Sequence, residues 1–236
     1  PDTLLFEGIE IEASEWNITV NANRWNSIAF LGNEPLDVTT AFPDTLIDSI
    51  SIVQTFDGSV WIPALGVSTM GNVLPGYGYQ VALNGDSDIT FAWQTGGLAR
   101  SMTRDLAETE YFQFVKTGIP WSIVAEIPEE DLQNWTEGDE IAVFDGDVCV
   151  GAAVYHEYST IAFTAWHEDE DFELPGFTDG ESMEFRIYRA DEEREITTQF
   201  ESLNGTMVFG QGHFAHVSVT PDTSIPTDFR LRQNYP

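Results

Sequence analysis

Met183-Glu184-Phe185-Arg186-Ile187-Tyr188 sets apolar and polar side chains at alternate positions, and Ser49-Ile50-Ser51-Ile52-Val53 and Tyr79-Gln80-Val81-Ala82-Leu83 carry the same period. A period of two belongs to an extended chain with one face on a core, so each stretch predicts a strand. Between such runs stand Asp57-Gly58, Pro75-Gly76, Asn84-Gly85, Asp145-Gly146, Asp179-Gly180 and Asn204-Gly205, pairs suited to tight turns. Short strands closely punctuated, with no long helical period between them, predict sandwiches rather than α/β units. One helical piece is expected from Leu36 to Ile47, where Val38, Ala41, Phe42 and Leu46 recur at roughly helical spacing and Pro43 interrupts.

The alternation lapses twice. After Trp93 the chain passes through Gln94-Thr95-Gly96-Gly97 into a polar stretch reaching Glu108, and after Val219 it takes on the linker composition Thr220-Pro221-Asp222-Thr223-Ser224-Ile225-Pro226-Thr227. The predicted fold is all-β, with two β-sandwich-like domains in tandem and an extended C-terminal tail. Residues 1–96 form the first module, 97–106 a connector, 107–220 the second module, and 221–236 a linker with its tail.

Nine basic against forty acidic residues give 9 − 40 = −31, a charge that repels a phosphate backbone or an anionic bilayer. No nucleic-acid partner and no membrane insertion are expected; no apolar run approaches the roughly 18 residues of a spanning helix. Pro1 opens no charged-then-apolar leader, so the chain reads as soluble and already processed. Lys116 is the sole lysine. Such an acidic surface suits a salty or calcium-bearing exterior, and it equally keeps a β-rich protein from pairing edge to edge. Cys149 is the only cysteine, which excludes an internal disulfide and a cysteine-built zinc site.

Ile225-Pro226-Thr227-Asp228-Phe229-Arg230-Leu231-Arg232-Gln233-Asn234-Tyr235-Pro236 resembles the opening of the C-terminal sorting domain of bacterial type IX secretion cargo, whose Pro-Thr-Xaa-Phe lead-in precedes Gln-Asn-Tyr-Pro. The stretch from about Leu4 to Trp93 resembles a module found upstream of such signals, through Trp25-Asn26-Ser27-Ile28, Gln54 to Trp61 and Pro75-Gly76-Tyr77-Gly78-Tyr79; Arg24 departs from the glycine usual before the Trp. Residues from about Tyr111 to Thr220 resemble companion modules, through Gly138 to Gly146, Cys149-Val150-Gly151-Ala152 and Phe185-Arg186-Ile187. The resemblance implies export by a Gram-negative bacterium to the cell surface or medium, and display rather than catalysis.

The residues themselves point the same way. No Gly-Xaa-Ser-Xaa-Gly elbow, His-Glu-Xaa-Xaa-His motif or phosphate-cradling glycine loop is present. His213 and His216 lie an odd number of steps apart on an expected strand and so face opposite sides. The one metal candidate is calcium at the acidic run Glu168 to Asp171, with Asp169, Asp171, Glu173 and Asp179 as ligands, because hard cations take clustered carboxylates. Trp61 and Trp135, beside turns, are the candidates for an exposed carbohydrate platform, whereas Trp25 and Trp93 belong to the core. Asp2-Thr3-Leu4 and Asp44-Thr45-Leu46 resemble the O-glycan acceptor of exported proteins in bacteria with this secretion system, through Thr3 and Thr45.

In an extended tail Phe229, Leu231 and Tyr235 share one face, and Arg230 and Arg232 the other. That arrangement fits strand addition to an acidic neighbouring copy, which does not close on itself and so builds filaments. The function expected is a non-catalytic extracellular structural or interaction module whose partners are other copies of itself or surface proteins. The alternative is a carbohydrate-binding appendage of a secreted enzyme.

Overall fold

The computed structural model describes residues 12–96, 107–196, 198–204 and 207–221. It is all-β, with two β-sandwich-like domains in tandem, and among the described residues no strand of one pairs with a strand of the other. The first domain carries β1 (Ile18–Val20), β2 (Asn26–Ala29), β3 (Leu36–Asp37), β4 (Ile50–Gln54), β5 (Val60–Ile62), β6 (Val67–Ser68), β7 (Asn72–Val73), β8 (Gly78–Leu83) and β9 (Ile89–Phe91). Its main sheet runs β2-β8-β4-β5-β6, with the short pairs β1-β9 and β3-β7 over one face. The expected helical piece is two single turns, α1 (Val38–Ala41) and α2 (Asp44–Ile47), split at Phe42-Pro43. Asp37 starts the first by accepting a hydrogen bond from the Thr39 amide at 2.8 Å. Phe42 then drops into the core, 4.9 Å from the Trp93 ring and 5.7 Å from that of Trp61.

The second domain is a sandwich of two four-stranded sheets. One orders β13 (Thr160–Trp166), β10 (Pro120–Glu126), β17 (Phe214–Pro221) and β16 (Thr198–Ser202); the other orders β12 (Val148–Val154), β11 (Glu140–Asp145), β14 (Met183–Arg189) and β15 (Arg194–Ile196). Pairing is antiparallel except between β10 and β17. Strand β14 follows its alternation: Met183, Phe185 and Ile187 enter the core between the sheets, and Glu184, Arg186 and Tyr188 face out. At one side the two sheets nearly touch, because Gly151 on β12 lies so close to β13 that a Cβ there would sit 2.1 Å from the Thr164 carbonyl oxygen.

The domains meet face to face. Ile52, Val60, Ile62 and Ala82 of the first form one buried cluster with Val124 and Ala162 of the second. Inside this seam Gln54, 2% exposed, donates through Nε2 to the Gln80 Oε1 at 2.8 Å and to the Pro120 carbonyl at 3.2 Å, while the Ser122 hydroxyl donates to Gln54 Oε1 at 3.1 Å. A buried primary amide is tolerated only with its donors and acceptor engaged in this way. The seam explains why β4 is buried along its whole length. A bulge between Ile50 and Ile52 turns Ile50 into the first domain's own core and Ile52 onto the seam, although strict alternation puts them on one face. At the rim, Trp25 meets His213 edge-on at 5.6 Å.

Candidate functional site

The chain enters the second domain as a strap, residues 109–116, laid over the outer face of the β12-β11-β14-β15 sheet. Glu140, only 3% exposed, fastens it: Oε1 accepts from the Glu110 and Tyr111 amides at 2.6 and 2.9 Å, and Oε2 accepts from the Phe112 amide at 2.8 Å. Phe112 packs with Ala142 and Phe144, and Tyr111 stacks on Tyr188 at 3.8 Å.

Between the strap, the outward side chains of β12 and β13, and the Asp57-Gly58-Ser59 turn of the first domain runs a groove of about 260 Å3. Its lining includes Phe112, Phe114, Ala152 and Ala162, with Asp57, Glu108, Lys116, His156 and the exposed Tyr158 supplying polar groups. The turn is held to the second domain by the Thr164 hydroxyl, which donates to the Gly58 carbonyl at 2.9 Å. Gly58 is required there, at φ +90° with Thr164 Oγ1 only 2.5 Å from the position of a Cβ. Burial pushes the Asp57 carboxyl up, but hydrogen bonds from Thr55 and Ser59 and the charge of Lys116 outweigh it and leave it below the usual carboxylate range. Sequence reasoning missed this groove, because its walls come from three segments about fifty to a hundred residues apart; the one signal was that Lys116 is the sole lysine.

The carboxylates expected to hold calcium do not come together. Asp169 Oδ1 accepts from the Asp171 and Phe172 amides at 3.1 and 3.3 Å, closing its own turn, while Asp179 lies 3.8 Å from His167 Nε2. Asp171 and Glu173 are exposed on that turn. The backbone pair between Asp169 and Leu174 makes the segment a tight hairpin. Among the described residues no three His, Cys, Asp or Glu side chains are grouped to hold a metal ion.

Trp61 and Trp135 are a second correction. They are 4% and 6% exposed, Trp61 stacked with Phe42 and Trp135 against Tyr155 at 5.3 Å. The turns beside them reverse the backbone while the rings fold inward, so neither offers a face to a sugar. Trp93 is buried as expected, but Trp25 is only partly buried, at the seam. Thr45 is exposed on α2. Thr3 lies outside the described residues, as do the connector 97–106 and the tail residues Phe229, Arg230, Leu231, Arg232 and Tyr235.

Other chemistry-bearing groups are engaged in the fold. Asp139, fully buried, accepts from the Thr136 and Ala190 amides at 2.8 and 3.0 Å and pairs with Arg189 at 3.2 Å. His216 meets Glu126 at 2.7 Å. Burial pushes the Cys149 thiol up to about 11, far from the range of a nucleophilic thiolate. No helix among the described residues is long and apolar enough to cross a membrane. No protein-family model, curated protein or solved structure matches the chain.

Proposed function

We propose that this chain is a non-catalytic structural and interaction module of a protein exported to the outer surface of a Gram-negative bacterium, assembling with other copies through strand addition by its C-terminal segment. The observation that carries the reading is where the polar side chains go. Glu140 fastens the strap, Asp139 with Arg189 braces a turn, Gln54 with Ser122 joins the domains, and Asp169 closes a hairpin. Groups of the kinds that catalyse elsewhere here brace the second sandwich from within, and one pair ties it to the first, as suits a spacer or scaffold. The acidic surface keeps such a body hydrated and discourages indiscriminate edge pairing. Export itself rests on the resemblance of residues 225–236 to a sorting signal. Antibodies against the chain, applied to intact cells of the bacterium that makes it, are expected to label the surface or the medium. Labelling only after the outer membrane is opened would contradict the proposal.

A second reading, binding of glycans, loses Trp61 and Trp135 but is favoured by an observation of its own, the groove beside Lys116 and Tyr158.

A further inference from the structure

From the groove between the strap, β12, β13 and the Asp57 turn we infer a binding site for a neutral saccharide, with Tyr158 as the stacking face and Lys116, His156 and Asp57 as hydrogen-bonding groups. The inference rests on the second reading above and moves it from Trp61 and Trp135 to this groove. Small-molecule sites concentrate where domains meet and combine apolar walls with a few convergent polar groups. This groove lies at the domain junction and sets polar side chains beside apolar walls. Its volume, about 260 Å3, falls just below the ~300–1,000 Å3 usual for such sites, which limits it to a monosaccharide or the end of an oligosaccharide.

The chemistry of the lining selects among ligands. Asp57 and Glu108 carry negative charge and Lys116 positive charge, so an ion of either sign meets a like charge as well as a partner. A neutral polyol suits both, since each hydroxyl donates to a carboxylate and accepts from an ammonium or imidazole N–H. Tyr158 is 58% exposed and gives a flat amphipathic ring for the C–H face of a pyranose. Both walls are pinned, the strap by Glu140 and the turn by Thr164, so little ordering cost opposes binding.

The test is the whole chain on an array of neutral and acidic oligosaccharides, followed by titration calorimetry with the best-retained sugar. Neutral glycans are expected to be retained, with affinity falling about tenfold in Tyr158→Ala and severalfold in Lys116→Ala, the size of one lost stacking or hydrogen-bonding contact. Both positions are exposed, and an unchanged urea midpoint in each variant separates lost binding from lost folding. No glycan retained overturns this inference together with the glycan reading. Retention unaffected by either substitution overturns the site alone and leaves the reading standing. Preference for acidic glycans, or binding of a synthetic 225–236 peptide that Tyr158→Ala abolishes, also overturns it by giving the groove another occupant.

Discussion

Replacing Glu140 by Gln removes a charge and little volume, and the structure sets the size of the effect. Three backbone N–H groups converge on the carboxylate within 2.6 to 2.9 Å. The Gln carbonyl oxygen can keep the Glu110 and Tyr111 amides, but its NH2 group then faces the Phe112 amide, donor against donor. Phe112 is 4% exposed, so water cannot readily replace the lost acceptor. An unsatisfied buried amide costs about 1–3 kcal/mol, and the two retained bonds weaken once their acceptor is neutral. The expected loss is about 2–4 kcal/mol of strap docking. In urea unfolding followed by tryptophan fluorescence, Glu140→Gln should lower the midpoint. Limited proteolysis should then cut between residues 107 and 116 before anywhere in the sandwich. Glu195→Gln, which touches the strap only through the exposed Tyr111 hydroxyl at 2.9 Å, is the control and should stay within about 0.5 kcal/mol of the parent. If Glu140→Gln matches that control, the carboxylate does not hold the strap and the groove wall it supports is not rigid.

Gly151→Ala should destabilise the second domain by several kcal/mol, read as a lowered melting temperature, because its Cβ would press on the Thr164 backbone at 2.1 Å; a neutral result would mean the sheets do not approach as described. Gln54→Ala orphans the Ser122 hydroxyl and loses two donated bonds, so about 2–4 kcal/mol should disappear from the seam, splitting one calorimetric transition into two if the domains melt together through it. Desolvation holds the His213 imidazole below its ordinary value beside Trp25. The unfolded chain therefore binds the proton first, and stability contributed at neutral pH is lost as pH falls through about 6.5. His213→Gln should flatten the pH dependence of the melting temperature between pH 7 and 5.5, and an unchanged slope would refute the assignment. Trp135→Ala should cost about 3–5 kcal/mol of stability with glycan retention unchanged, the opposite of what an exposed platform predicts.

The strands were legible wherever one face of a sheet meets a core and the other meets water. Met183 to Arg189 is such a case, with alternate residues buried. The alternation of Ser49 to Val53 predicts a strand, but not one buried on both faces, because the second covering layer comes from Val124 and Ala162, about seventy to a hundred and ten residues later. The seam is a tertiary event, and Gln54 and Ser122 look like ordinary outward-facing polar residues until it is known. Tryptophans beside turns misled for a local reason: turn chemistry fixes the backbone path but not the side to which a ring folds. The acidic run from Glu168 to Asp171 resembles a cation site by composition alone; in the hairpin set by the Asp169–Leu174 pairing, Asp169 instead caps its own turn. The groove was out of reach, since its polar groups share no motif and meet only when the strap, the edge of the sandwich and the first domain's turn converge.

Assembly is the central claim, and size in solution tests it most directly. Light scattering and electron microscopy should compare the whole chain with the chain ending at residue 224, over a range of protein concentration. Salt should be high enough to screen a net charge of −31, with a Debye length of about 8 Å at 0.15 M. The account predicts concentration-dependent growth into filaments for the whole chain and monomers for the shortened one, with unchanged melting of the two domains. The same monomeric size for both proteins, or the same filaments from both, would contradict it.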